Sequence, residues 1–366
     1  MPMVCAEGPL EEYSHLINGS FPKDVLYWES NLILSQSLMK QDLRIIFLGT
    51  AEFAVPSLSA LCAEGYSVVA VVTAPDKPAG RGLQLQQSPV KQFALSQNIP
   101  VLQPVNLKDP AFIAELKAYH ATLQIVVAFR MLPEAIWKMP ALGTMNLHAS
   151  LLPQYRGAAP INHAIMNGET ETGVSTFFLK HEIDTGSIIF QEKVSIGESE
   201  SAGELHDRLM ITGSGLVIKT VRAIEDGNYP SIDQASIFPE GTTLKTAPKI
   251  FRENCRINFN RSVEEIHNFV RGLSPYPGAY TELGGDQHVL ILKVTKAEKE
   301  SGSGSMSERT PGEVFTDGKT FLKISGDNGY IHLKEIQPAG KKKMSIEEFL
   351  RGYKINPGWK VKQYSL

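Results

Sequence analysis

Cysteine, long apolar runs and net charge are all scarce in this sequence, and each shortage excludes a class of protein. Its 366 residues contain three cysteines, Cys5, Cys62 and Cys255, which are too few and too scattered for a disulfide framework or a cysteine zinc site. No apolar run reaches the ~18 residues of a membrane-spanning helix, and the first residues do not resemble a signal peptide. With a net charge of -3 and 42% apolar residues, the sequence predicts a globular protein of the reducing cytosol, without membrane association.

The small net charge conceals an uneven distribution. From Lys245 onward the sequence holds 20 Lys and Arg against 14 Asp and Glu, a net charge of +6, whereas the part before Lys245 carries -9. Half of this excess comes from the cluster Lys341, Lys342 and Lys343. A basic C-terminal part indicates a polyanionic partner such as a nucleic acid, and the alternative is an ordinary solvated face.

Strand and helix patterns alternate in the first half of the chain. Residues 43–49, 66–74 and 123–129 are apolar runs typical of strands that are buried on both faces of a parallel sheet. Residues 88–97 and 109–120 have helical patterns, and the first begins with the capping pair Ser88 and Pro89. The alternation predicts an α/β fold with a doubly wound, mostly parallel, Rossmann-like sheet, whose ligands bind beyond the carboxyl ends of the strands.

The sequence patterns divide the chain into four expected segments. Residues 41–227 are expected to form the catalytic domain, 228–260 an irregular linker, and 261–366 a small β-barrel containing one helix, 263–273, and about five short strands. Residues 1–40 precede the first strand, and Met39 is a natural start. We expect this extension to be dispensable for chemistry, the alternative being a helix packed on the body.

Two loops near the first strands bear on function. The first strand-to-helix turn, at residues 49–58, lacks the second and third glycines of a dinucleotide fingerprint, which argues against a nicotinamide oxidoreductase. The connection over residues 73–87 is longer than usual and carries Arg81 between Gly80 and Gly82. An arginine on a protruding loop is suited to contact phosphates or base edges, although exposed arginines are often merely solvated.

The most informative residues are Asn146, His148 and Asp184. Asn146 and His148 are two positions apart, so their side chains share one face of a strand end while Leu147 points into the fold. An amide can stabilise a carbonyl oxygen that gains charge, an imidazole can carry a proton, and a carboxylate at the following turn can orient either. Arg156–Gly157 is expected to begin a helix. Together these residues predict acyl or one-carbon transfer.

Six segments of the chain carry a resemblance to a known family. In order they read LRIIFLGTAEFAVPSL, APDKPAGRG, SPVK, SLLPQYRGAAPI, KTAPKI and RGLSPYPGAY. From Leu43 to its end the chain resembles the methionyl-tRNA formyltransferases of the folate-dependent formyltransferase family. The resemblance implies transfer of the formyl group of 10-formyltetrahydrofolate to the α-amino group of methionyl-initiator tRNA, without a metal ion and without an obligate protein partner. It also implies that the C-terminal barrel is of the oligonucleotide-binding (OB) type.

The resemblance further implies a role for particular residues. Asn146, His148 and Asp184 match the family's catalytic set, in which Asp184 holds His148 and positions a water. Two segments match those that contact the folate, the second through its backbone: Ser150, Leu151, Leu152 and Pro153; and Val127, Phe129 and Leu132. The expected tRNA contacts are Arg81, Lys77, Lys341, Lys342 and Lys343. Here the loop continues after Arg81 as uncharged LQLQQ, so Lys77, Lys91 or the C-terminal lysines are expected to compensate.

Two alternatives share part of this pattern. A formyltransferase acting on a purine ribonucleotide or an amino sugar nucleotide would use the same trio but would need neither the basic barrel nor the loop around Arg81. Deleting the residues after Leu244 is expected to leave such an enzyme active and to disable a tRNA enzyme. The second alternative, an RNA-binding module with a degenerate catalytic domain, is disfavoured by the complete trio and would be separated by a folate-binding titration.

Overall fold

The computed structural model describes residues 43–79, 84–239, 241–285, 289–302, 310–356 and 358–362. The proposed N-terminal extension and Arg81 therefore lie outside the described residues, so neither prediction is tested by the structure.

The N-terminal part is built on a seven-stranded sheet with strand order β10-β9-β7-β6-β1-β2-β5. Five of its strands are parallel, and β9 and β10 extend it by antiparallel pairing. The sheet strands are β1 Arg44–Gly49, β2 Ser67–Val72, β5 Val101–Leu102, β6 Leu123–Val127, β7 Thr144–His148, β9 Glu171–Phe178 and β10 Ile188–Ser195. Two short pairs lie beside it: β3 Lys77–Ala79 with β4 Gln84–Gln86, and β8 Arg156–Gly157 with β11 Thr246–Ala247.

Helices cover both faces of this sheet, as the continuous apolar runs predict. Ile45 and Phe47 of β1 pack in one core and Ile46 and Leu48 in the other, because successive side chains point to opposite faces of the sheet. Ser88 caps its helix as predicted, since its hydroxyl accepts the N–H of Lys91 at 3.1 Å. The helices are α1 Val55–Ala63, α2 Pro89–Ser96, α3 Pro110–Ala118, α4 Glu134–Trp137, α5 Pro160–Met166 and α6 Ala202–Glu225.

The order of the strands creates a switch point between β1 and β6. From β1 the chain runs outward through β2 and β5, and then returns to the other side of β1 to form β6 and β7. Gly49 and Val127 pair there, at the carboxyl ends of their strands. A Cβ on Gly49 would lie 2.8 Å from the Cβ of Ala54, so only glycine fits this turn. Doubly wound sheets bind their ligands at such a point, and the end of β7 is adjacent to it.

The C-terminal part is an antiparallel barrel, as predicted. Its strand order is β14-β15-β16-β13-β12-β18, and β17 pairs with β16. A bridge between Glu313 and Lys360 brings the two edges together, so the barrel is nearly closed. The elements are α7 Val263–Gly272, β12 Ala279–Gly284, β13 Val289–Ser301, β14 Val314–Thr316, β15 Leu322–Ser325, β16 Gly329–Pro338, β17 Met344–Ser345, α8 Ile346–Gly352 and β18 Lys360–Val361.

The two parts contact each other through the C-terminal end of α7. Arg271 is 8% exposed and donates hydrogen bonds to the carbonyl oxygens of Gly197 and Glu200, before the start of α6. Asn162 of α5 donates to the carbonyl oxygen of Gly272 at 2.7 Å. These contacts fix the barrel against the catalytic part, because a buried guanidinium without hydrogen bonds would be costly.

One local prediction is wrong. Arg156–Gly157 does not begin a helix: it forms the two-residue strand β8, and the helix α5 starts at Pro160. The partner that makes β8 a strand is β11, which lies in the predicted linker about ninety residues further along the chain. The linker is therefore paired with the catalytic part, and the local pattern around Arg156 gave no sign of this.

Candidate active site

His148 ends β7 with its side chain 8% exposed and its ring fixed by the backbone that follows. Its Nε2 lies 2.9 Å from the carbonyl oxygen of Tyr155. Because a carbonyl only accepts, Nε2 must carry the proton in this contact. Asn146, two positions earlier, pairs through its backbone with Val126 and Phe177 of the neighbouring strands. Both predicted residues thus lie at the carboxyl end of a central strand, and Tyr155 is a contributor that the sequence analysis missed.

Tyr155 is itself held at several points. Its φ of +60° is unusual for a residue other than glycine. Its N–H donates to the carbonyl oxygen of Lys245 at 2.6 Å, and its hydroxyl donates to Glu169 at 2.5 Å. Burial, followed by the hydrogen bond to Glu169, raises the pKa of the Tyr155 phenol. Burial alone would raise the pKa of Glu169, but hydrogen bonds from Lys245 and Tyr155 outweigh it and lower that pKa.

The contacts of Lys245 change one experiment that the sequence suggested. The Lys245 carbonyl accepts from Tyr155, and the Lys245 N–H donates to the side chain of Gln154 at 2.8 Å. A deletion after Leu244 would remove these contacts together with β11, and with them the support of the His148 ring. Such a truncation would impair any acceptor reaction, so it cannot distinguish a tRNA enzyme from a small-nucleotide enzyme.

Asp184 faces His148 from the turn between β9 and β10. One carboxylate oxygen, Oδ2, accepts the N–H of Gly157 at 3.1 Å and lies 3.8 Å from Nδ1 of His148. The second distance is too long for a hydrogen bond. In this structure the ring is therefore held by Tyr155, and the carboxylate is held by Gly157. The Asp184 side chain is 11% exposed, so its charge lies in a largely desolvated position opposite the imidazole.

The serine-to-proline segment after β7 is packed more deeply than its predicted contact with folate suggests. The Ser150 side chain is fully buried and donates to the carbonyl oxygen of Gln154 at 2.6 Å. Leu152 is 2% exposed and packs with Phe177 and Ile188. Leu151 is half-buried and Pro153 is buried. A contact of Ser150 or Leu152 with a folate would therefore come from their backbone rather than from their side chains.

The segment after β6 offers free backbone groups. The N–H and C=O groups of Phe129 to Leu132 have no hydrogen-bond partner among the described residues. The side chains of Val127 and Leu132 are buried in the cores on the two sides of the sheet, whereas Met131 is 71% exposed. This arrangement of buried anchors and unpaired peptide groups suits an edge-on contact with a flat heterocycle that carries several donors and acceptors.

The predicted nucleic-acid contacts lie in two places. Lys77 is exposed on β3, whose hairpin with β4 forms the base of the long loop. Lys341, Lys342 and Lys343 are exposed after β16, and Lys343 pairs with Glu335 at 2.7 Å. Lys91, which was expected to compensate for the uncharged loop, instead forms an ion pair with Asp76 at 2.6 Å and anchors the hairpin. The Lys91 and Asp76 side chains are 15% and 22% exposed, so this ion pair lies largely buried beside the hairpin.

A cationic cavity of about 670 Å³ separates the catalytic part from the barrel. The lining of the cavity includes Ala158, which follows the Gly157 whose N–H binds Asp184. It also includes Gly340, which directly precedes the lysine cluster. The cationic residues and the exposed aromatic residue of its lining are Lys249, Arg252, Lys293 and Tyr276. None of the described residues that line this cavity is acidic.

Within the described ranges, no helix combines the length and the apolar character needed to cross a bilayer. Across the same residues, no three His, Cys, Asp or Glu side chains are grouped closely enough to hold a metal ion.

Comparisons with known proteins show which family the chain resembles. Residues 43–221 match the family model described as formyl transferase, and residues 249–354 match the model described as formyl transferase, C-terminal domain. A curated relative from Bacteroides fragilis, named methionyl-tRNA formyltransferase, is 50% identical over 89% of this chain and 99% of its own length. A relative of the same name from Phocaeicola vulgatus is 53% identical over 88% of this chain and 99% of its own.

Solved structures of lower similarity support the fold. An N-formyltransferase from Helicobacter canadensis, in complex with folinic acid and dTDP-3-aminofucose, aligns with a TM-score of 0.56 at 20% identity, over 82% of this chain and 99% of that one. HypX from Aquifex aeolicus, in complex with tetrahydrofolic acid, aligns with a TM-score of 0.54 at 19% identity, over 88% of this chain and 51% of that one.

Proposed function

The chain belongs to the methionyl-tRNA formyltransferase family, and we propose that Asn146, His148 and Asp184 form its reaction centre. Its function is to transfer a folate-borne formyl group to the amino group of methionyl-initiator tRNA. The observation that carries the residue assignment is that His148 Nδ1 lies 3.8 Å from Asp184 at the end of β7, two residues after Asn146 and beside the switch point of the sheet. We propose 10-formyltetrahydrofolate as the donor.

In the proposed chemistry Asn146 and His148 act on the formyl oxygen, and Asp184 acts on the transferred proton. The methionine amine attacks the formyl carbon, a new C–N bond forms, and the bond from that carbon to the folate nitrogen breaks. The amide of Asn146 donates to the formyl oxygen as it gains negative charge. His148 donates to the same oxygen only through Nδ1, because the Nε2 proton is bound to the carbonyl of Tyr155, so this contribution requires a proton on both ring nitrogens. Asp184 accepts the proton that the amine loses, directly or through a water, and this proton passes to the departing nitrogen. No step is assigned to a metal ion.

Three features support the location of the folate. Ligands of doubly wound sheets bind where β1 and β6 diverge, and the unpaired backbone of Phe129 to Leu132 lies at that point. The exposed side chains of Met131 and Ile183, 71% and 58% accessible, offer apolar surface beside the reaction centre. The backbone of the segment from Ser150 to Pro153 follows β7 and completes the proposed site.

The cationic cavity supports an approach of the tRNA acceptor end from one side. Among the described residues that line it there are cations and no acids, which suits a phosphate backbone. Tyr276 is 81% exposed and can stack on an unpaired base. The other large cleft between the two parts is lined by Glu52, Glu204, Asp207 and further acids as well as by cations. We therefore propose that the acceptor end reaches Asp184 past Ala158, with Lys77 and Arg81 on the more distant part of the tRNA.

We expect the double variant Lys341→Glu and Lys342→Glu to raise the KM for tRNA about tenfold or more at low salt, with the KM for folate unchanged. The slope of log KM for tRNA against log salt concentration should fall by about one for each phosphate that the protein no longer binds. A matched control is Lys319→Glu with Lys354→Glu, which makes the same charge change at exposed barrel positions that do not adjoin the cavity lining, whereas Lys341 and Lys342 directly follow its lining residue Gly340. Equal effects of the two pairs would show that only net charge matters.

The direct test of the function is a formylation assay. The purified protein is incubated with 10-formyltetrahydrofolate and methionyl-initiator tRNA, beside a methionyl-elongator tRNA control, and formylmethionine is measured. Formylation of the initiator alone is the expected result. Folate binding without formylation of either tRNA would refute the tRNA assignment and direct attention to sugar-nucleotide and purine acceptors.

From the low cysteine content we also propose a cytosolic location.

A further inference from the structure

Gln234 is a buried polar residue in the segment between the catalytic part and the barrel. It begins the short 3-10 helix Gln234–Ser236 and is 3% exposed. The residues around it are mostly exposed, and neither the motifs nor the charge pattern of the sequence distinguishes it. A glutamine buried to this degree needs partners for both ends of its amide, because unpaired polar groups in the interior are costly.

Both ends of the Gln234 amide are occupied at the reaction centre. Nε2 donates to the carbonyl oxygens of Asp184 and Gly186, each at 2.8 Å. Oε1 accepts from Nε and Nη2 of Arg156 at 3.0 and 2.6 Å. One side chain therefore joins the Asp184 turn to β8, and β8 supplies the Gly157 N–H that binds the Asp184 carboxylate.

The turn that Gln234 holds has a demanding geometry. Asp184 has a φ of +55°, which few residues other than glycine adopt. A Cβ on Gly186 would lie 1.5 Å from the carbonyl oxygen of Phe178, so the turn is pressed against β9. The segment before Gln234 is also tied down, because Ile232 and Ile188 exchange two backbone hydrogen bonds of 2.9 Å. The linker thus fixes both the backbone and the side chain of Asp184.

We propose that Gln234 is a positioning residue that acts through Asp184: its amide sets the backbone of the Asp184 turn and, through Arg156, the N–H that orients the carboxylate. This inference rests on the proposed function. It makes the linker a part of the reaction centre. Misplacement of a reacting group by about 1 Å can reduce rates by about 10²-fold, so a single amide at this position has a large effect on turnover.

Two substitutions separate the contacts of the amide. Gln234→Met preserves the length of the side chain and removes all four hydrogen bonds. Gln234→Glu retains an acceptor for Arg156 but replaces the two donors by a carboxylate oxygen facing the carbonyl oxygens of Asp184 and Gly186. Ser236→Ala is the matched control, because it removes a hydrogen bond of 2.7 Å to Asp233 from the same short helix without touching the Asp184 turn.

The experiment is a double-mutant cycle with Asp184→Asn, read out as kcat and as the KM for each substrate. We expect Gln234→Met and Gln234→Glu to lower kcat about 10- to 100-fold, with KM values within about threefold of the wild type. In the Asp184→Asn background the same substitutions should lower kcat less than about threefold, because the group that they position is already absent. Ser236→Ala should leave kcat within about twofold of the wild type.

Several results would overturn the proposal. Losses that multiply in full in the Asp184→Asn background would make Gln234 a general structural residue, as would a Ser236→Ala effect equal to that of Gln234→Met. A wild-type kcat in both Gln234 variants would also refute it. Circular dichroism and thermal unfolding identify a variant that does not fold, and the cycle is then read from Gln234→Glu. If the wild type forms no formylmethionine, the proposed function fails. If the wild type is active but the two losses in kcat multiply in full, only the Gln234 proposal is overturned.

Discussion

Replacing Asp184 by asparagine is expected to lower kcat by about 10²- to 10⁴-fold while folate binding and folding are retained. Asparagine has the same shape, and its amide oxygen can still accept the Gly157 N–H that lies 3.1 Å from Oδ2. The substitution therefore preserves the turn and removes only the charge and the proton acceptor opposite His148, whose Nδ1 is 3.8 Å away. Steady-state kinetics with methionyl-initiator tRNA, together with a folate titration, measures both quantities.

A control for the Asp184 variant is Asp226→Asn, the same chemical change at the exposed residue directly after α6. Its kcat should equal that of the wild type, because Asp226 has no contact with the reaction centre. Turnover of Asp184→Asn within about twofold of the wild type would remove Asp184 from the mechanism. A fall in folate affinity of the same size as the fall in kcat would instead assign Asp184 to binding.

We expect Gly157→Ala to lower kcat by about 10²-fold or more and to destabilise the protein by about 1–3 kcal/mol. Gly157 has a φ of +126°, and a Cβ there would lie 2.4 Å from the carbonyl oxygen of Ala247. Because this neighbour is backbone, the pair of β8 and β11 would have to separate. The N–H of residue 157 would then move away from the Asp184 carboxylate, and activity would fall with stability.

Gly215→Ala is the matched control for Gly157→Ala. Gly215 lies inside α6, and a Cβ there would meet no atom within 4 Å. Alanine is a better helix former than glycine, so the variant should gain about 0.5–1 kcal/mol in the free energy of unfolding and keep its kcat. Chemical denaturation and kinetics on both variants decide the question. A Gly157→Ala enzyme with the kcat of Gly215→Ala would show that the β8 backbone does not orient Asp184.

Much of the fold follows from local patterns in the chain. The apolar runs at β1, β2 and β6 predict strands buried on both faces, and the cores on the two sides of the sheet confirm it. Ser88 and Pro89 mark the start of α2. The strand β12 has no comparable local signal, because it follows directly on a segment rich in proline and glycine and gains its hydrogen bonds from β13 and β18. Its pairing is a property of the barrel.

The candidate site likewise contains residues that the local sequence predicts and contacts that it does not. Asn146 and His148 were predicted from a spacing of two on a strand, and Asp184 from its place at the turn before the following strand, so all three predictions rest on local features of the sequence. The contact of the carboxylate with Gly157, the support of His148 by Tyr155 and the role of Gln234 had no local signal. The last of these joins residues 50 and 78 positions apart in the chain.

The sequence by itself determined the α/β sheet, the barrel, the family and the three residues expected to carry the reaction, because periodicity and motifs are written in neighbouring residues. Only the tertiary structure decided that Arg156–Gly157 is a strand rather than a helix, that Lys91 anchors a hairpin, and that the linker holds Asp184. These features depend on hydrogen bonds and ion pairs between residues that lie apart in the sequence. The partner of a buried amide or of a left-handed turn is therefore known only once the chain has folded.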